Sequence, residues 1–66
     1  MAVNHNYQIE LINRHIDKIA ECIKSINEEM NNKYKLTIKN KFHIHEEVKD
    51  IADNVASIKY LLQEND

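Results

Sequence analysis

The sequence predicts a mainly α fold, two long amphipathic helices packed antiparallel, on three observations. An isoleucine seam recurs at helical spacing, a second apolar stripe of the same period follows it, and the 66 residues contain neither Gly nor Pro. Long helices need neither residue, whereas tight turns and phosphate-cradling loops depend on them. A single domain over 1–66 is expected, with helices at about 6–31 and 45–64 and a connector at about 33–45. The fold becomes α+β if that connector is extended.

The first helix rests on Ile9, Ile12, Ile16, Ile19, Ile23, Ile26 and Met30, which alternate steps of three and four. Only a helix places all of them on one side. β-branched residues are mediocre helix formers, so this segment depends on packing for its stability, and its seam must be buried. Asn4 or Asn6 is positioned to cap the start, and Asn31-Asn32 to supply a left-handed residue at the end.

The second helix rests on Ile44, Val48, Ile51, Val55, Ile58 and Leu62, widened by Ala52 and Leu61. Glu46, Glu47 and Asp50 then fall in its opening turns, where the helix dipole favours negative charge.

The connector has a different period. From Lys33 to His45 polar and apolar residues alternate, with Asn40 the single exception, and that is the pattern of a β-strand. Lys39-Asn40 is a candidate hairpin turn. Tyr34, Ile38 and Phe42 also stand four apart, which suits a helix continuous with its neighbour. The period-two match favours the strand.

So small a chain buries a modest share of its surface, and the usual supports at this size are disulfides, a metal or oligomerisation. The lone Cys22 excludes an intrachain disulfide. Two helices bury one stripe each, and Tyr7, Leu11, Tyr60 and Leu61 lie off the main a/d lines of those stripes. A homodimeric four-helix bundle or higher oligomer is therefore expected, with its oligomer or partner interface drawn from Tyr7, Leu11, Ile9, Ile12, Ile16, Ile19, Ile23, Ile26, Tyr60 and Leu61.

Lys33, Lys35, Lys39 and Lys41 form a basic run in a chain of net charge −2. On a strand they would share one face and could meet phosphates; the plainer reading is a solvated edge guarded by lysines. His43 and His45 would likewise share a strand face beside Glu46 and are weak candidates for metal ligands. No further ligand pattern accompanies them, so no metal or cofactor is expected. Cys22 has no base within reach along its helix, since His15 is two turns away. No catalytic constellation is found, and enzymatic activity is not expected.

The longest apolar runs are two or three residues, too short to cross a bilayer. With one cysteine and no leader-like start, a cytoplasmic location is expected. Abundant Ile, Asn and Lys, all with A/T-rich codons, suit an A/T-rich genome or a phage or other mobile element. Together these features predict a small homo-oligomeric interaction module that acts stoichiometrically as inhibitor, adaptor or regulator of a larger protein. A dimeric nucleic-acid-binding regulator using the lysine-rich connector is the alternative.

Overall fold

A computed structural model describes residues 5–31 and 34–63, which contain two helices, α1 (His5–Met30) and α2 (Ile38–Gln63), packed against each other. The first helix keeps the bounds its isoleucine seam predicts to within a residue. Arg14 reinforces its outer surface by donating to Glu10 one turn earlier at 2.9 Å, the favourable polarity for a pair of this spacing. At its end Asn31 donates to the Glu28 carbonyl at 3.4 Å, tightening the last turn. Asn6 lies inside the helix, not at its cap, while Asn4 and Asn32 fall outside the described residues.

The expected β-connector does not form: among the described residues there is no strand, and α2 starts at Ile38, well before the expected 45. A capping box decides the matter. The Thr37 hydroxyl accepts from the Asn40 backbone N–H at 3.1 Å, and the Asn40 side-chain oxygen accepts from the Thr37 N–H at 3.1 Å. Two of the donors that a helix start leaves unsatisfied are thereby satisfied reciprocally. The first helical bond, Lys41 N–H to the Thr37 carbonyl, closes at 2.9 Å. The four-residue spacing of Ile38 and Phe42 thus prevails over the alternation, and Lys39-Asn40 is a first helical turn. Glu46, Glu47 and Asp50 consequently sit well inside α2, and its first turn carries no acid.

Both helices follow the same heptad frame. Taking Ile9 as position a, α1 places Ile9, Ile16, Ile23 and Met30 at a, Ile12, Ile19 and Ile26 at d, and Gln8, His15, Cys22 and Glu29 at g. Taking Val48 as a, α2 places Val48, Val55 and Leu62 at a, Ile44, Ile51 and Ile58 at d, and Asn40, Glu47, Asn54 and Leu61 at g. In each helix the d and g lines are half-buried against the other helix, and the a line is left to one side. The a-line residues named above are 40 to 58 % exposed, and among the described residues no side chain is fully buried. The helix pair has a seam but, among the described residues, no closed core.

Candidate functional site

The seam between the helices is built from the g lines. Gln8 donates through its side-chain amide to the Leu61 carbonyl, and His15 meets Asn54 at 2.7 Å. Cys22 donates its thiol to the Glu47 carboxylate, and the Asn40 amide donates to Glu29. These four rungs recur every seventh residue on both helices, in rising order along α1 and falling order along α2. A register shift of one residue would break every rung, so the ladder fixes how the helices align.

Glu47 is the most connected member. It accepts from the Ser25 hydroxyl at 3.0 Å as well as from Cys22, and His43 Nε2 lies 3.5 Å from the same carboxylate. The bonds from Cys22 and Ser25 favour the charged form and hold the Glu47 pKa below the ordinary carboxylate value. The Cys22 thiol shifts the other way. Loss of hydration raises its pKa first, followed by its bond to Glu47 and the charges of Glu47, Asp50 and Glu21. A thiol so placed stays protonated at neutral pH and is a poor nucleophile. The donor atoms of Cys22, Glu47 and Asp50 lie within 4.8 Å of one another, close enough to share a cation, with Lys18 lining the same cleft.

The expected metal candidates do not come together. His43 and His45 share a strand face but are about 200° apart on a helix. His43 turns toward Ser25 and Glu47, while His45 is exposed elsewhere on α2. Helical geometry separates Lys39 from Lys41 in the same way, Lys35 precedes the helix, and Lys33 lies outside the described residues. The single lysine face that a strand would create is therefore absent among the described residues.

The ten expected interface residues divide between two surfaces. Ile9, Ile16 and Ile23 line the exposed apolar face, with Ile12, Ile19 and Ile26 half-buried at its inner edge. Leu11, Tyr60 and Leu61 lie on the opposite side, where they border a shallow groove with His15, Ala56 and Ser57. Tyr7 is exposed in the first turns of α1. The g-line ladder was not anticipated. Its signal is present in the sequence as Gln8, His15, Cys22 and Glu29 at steps of seven, immediately beside the isoleucines.

No helix among the described residues is long and apolar enough to cross a membrane. Family models, curated proteins and solved structures alike give no match to this chain.

Proposed function

We propose that this chain is a small protein-interaction module, an antiparallel helical hairpin that completes its core by self-association. As an oligomer it acts stoichiometrically on a larger protein, as inhibitor, adaptor or regulator. One observation carries this reading: the a lines of both helices form a continuous exposed apolar face on a hairpin without a fully buried side chain among its described residues. Contiguous apolar surface of this kind marks an association site. Each helix of a four-helix bundle covers two neighbours, and here the d and g lines serve the first neighbour while the a line is left for the second.

The groove bordered by Leu11, Tyr60 and Leu61 lies away from that face and remains open when the face is covered. It is the surface we assign to the larger partner. Tyrosine suits such a role, combining a large apolar ring with a hydrogen-bonding tip.

Sedimentation equilibrium tests the first half of the proposal. A concentration-dependent oligomer is expected, and a folded monomer at all concentrations refutes it. Affinity capture from the source cell tests the second half, with a stoichiometric protein recovered by the wild-type chain and lost with Tyr60→Ala. Equal recovery by both excludes the groove.

A further inference from the structure

Resting on the self-association just proposed, we infer that the apolar face is covered by one second copy whose α2 lies along α1 of the first and whose α1 lies along its α2. The two-fold axis then runs parallel to the helices.

Size supports a single second copy. A helix of 26 residues is about 39 Å long, and two side by side are about 20 Å wide, giving a face of about 800 Å². That is close to what each partner contributes to a stable standard-size interface, about 800 Å². The face is also self-complementary. Both helices leave the same heptad lines uncovered, so a two-fold copy presents an equal apolar strip to each.

The ladder rungs act as a ruler for choosing between the two symmetric arrangements. Glu10 and Lys59 both stand between the Gln8–Leu61 and His15–Asn54 rungs, and both lie on the outer flank of the apolar face. Asp17 and Lys49 both stand between the His15–Asn54 and Cys22–Glu47 rungs. An axis parallel to the helices preserves these levels across the interface. It sets Glu10 level with Lys59 of the second copy and Asp17 within one helical turn of its Lys49, opposite charges in both places and on both sides of the dimer. Lys24 meets His45 at the third level, a like-signed contact only when the imidazole is protonated.

In the other arrangement each helix faces its own copy in reverse, with a perpendicular axis. Asp17, at the middle of α1, then approaches Asp17 of the second copy, Glu10 approaches Lys24, and Lys59 meets His45, again a like-signed contact only when the imidazole is protonated. The like-charged Asp17 pair in direct apposition at the centre disfavours that choice.

The small residues agree with the charges. Ala20 and Ala52 lie on the same flank, between the same two rungs, and the favoured arrangement brings Ala20 of each copy within one helical turn of Ala52 of the other. Two short side chains at that level let the helix axes approach to the near end of the usual 8–10 Å range.

Two measurements test the arrangement. In a Cys22→Ser background, which keeps a donor for Glu47, protein carrying Ala20→Cys is mixed with protein carrying Ala52→Cys and oxidised. The mixed disulfide is expected in at least about tenfold excess over either symmetric one, because Cα atoms more than about 7 Å apart do not close a disulfide. Predominance of the Ala52→Cys homodisulfide, which a perpendicular axis at the level of Asp17 and Ala52 would bring together, overturns the arrangement while leaving self-association intact.

Wild-type chain provides the second measurement. Isotopically light and heavy copies are mixed and treated with a carbodiimide, and mixed-mass crosslinks between Glu10 and Lys59 are expected. Mixed-mass crosslinks confined to Glu10 and Lys24 overturn the arrangement. Sedimentation of the same samples separates the two claims: a monomer defeats self-association itself, and a mass above two copies defeats the single-copy cover.

Discussion

His15 Nδ1 lies 2.7 Å from Asn54 Oδ1 across the helix pair, and Asn54 Nδ2 donates to the Asp50 carbonyl at 2.8 Å. With its amine committed to that carbonyl, Asn54 offers its oxygen to the imidazole, so His15 carries a proton on Nδ1. Removing either partner leaves the other half-buried and unsatisfied. His15→Leu and Asn54→Leu should each cost about 1–2 kcal/mol, whereas the double variant should recover much of that loss, because replacing both partners by apolar groups is close to neutral. Urea denaturation of all four proteins measures the coupling, and simple additivity would show that the rung contributes nothing as a pair.

The Thr37–Asn40 box should be worth a measurable part of the stability. Thr37→Ala is expected to cost about 1 kcal/mol and Thr37→Ser much less, since the serine hydroxyl can take the same bond. Asn40→Ala should cost more than Thr37→Ala, because Asn40 also donates to Glu29 on α1. Urea midpoints, with m-values checked for constancy, rank the three variants.

That box also explains where the sequence was legible and where it was not. The a and d lines of α1 dictate a helix because no other structure gathers six isoleucines on one side, and its bounds follow directly. Residues 36–44 satisfy both periods at once: Leu36, Ile38, Phe42 and Ile44 alternate, while Ile38 and Phe42 are also one helical turn apart. The choice is made locally by Thr37 and Asn40, whose reciprocal bonds use the shorter asparagine where glutamate or glutamine is the familiar partner. The polar ladder was hidden for a different reason. Hydropathy patterns mark what water expels, and Gln8, His15, Cys22 and Glu29 are held at the seam by partners more than ten residues away in sequence.

The Cys22–Glu47 rung makes stability sensitive to pH on both sides of neutrality. Glu47 has a lowered pKa when folded, so its contribution is present above the unfolded carboxylate value of 4.5 and is lost as pH falls through the folded value. Cys22 has a raised pKa when folded, so its contribution is present below the unfolded thiol value of 9.0 and is lost as pH rises through the folded one. Thermal melts across pH should show both limbs. Glu47→Gln should flatten the acid limb, and Cys22→Ser the alkaline limb.

Thiol chemistry reports on the same rung. The alkylation rate of Cys22 by iodoacetamide should rise with pH along a curve displaced above that of an unperturbed thiol, and Glu47→Gln should move the curve back toward it. An unshifted wild-type profile would mean that the thiol does not face the carboxylate in solution.

Ile16→Ala separates a hairpin that stands alone from one that completes its core in an assembly. In a lone hairpin Ile16 is nearly half exposed, at 48 %, and alanine is the better helix former. Stability would then change little, because the gain in helix propensity offsets the small loss of contact. In an oligomer the same side chain lies at the buried a position, and its removal leaves a cavity that costs about 2–5 kcal/mol per chain. Only the second case also gives a melting temperature that climbs with protein concentration, since assembly stabilises the folded state by mass action. Melts of the wild-type and Ile16→Ala proteins over a hundredfold range of concentration should therefore show a large destabilisation together with a concentration-dependent midpoint. A neutral substitution with a fixed midpoint would mean that the apolar face stays in water and that the seam alone holds the hairpin.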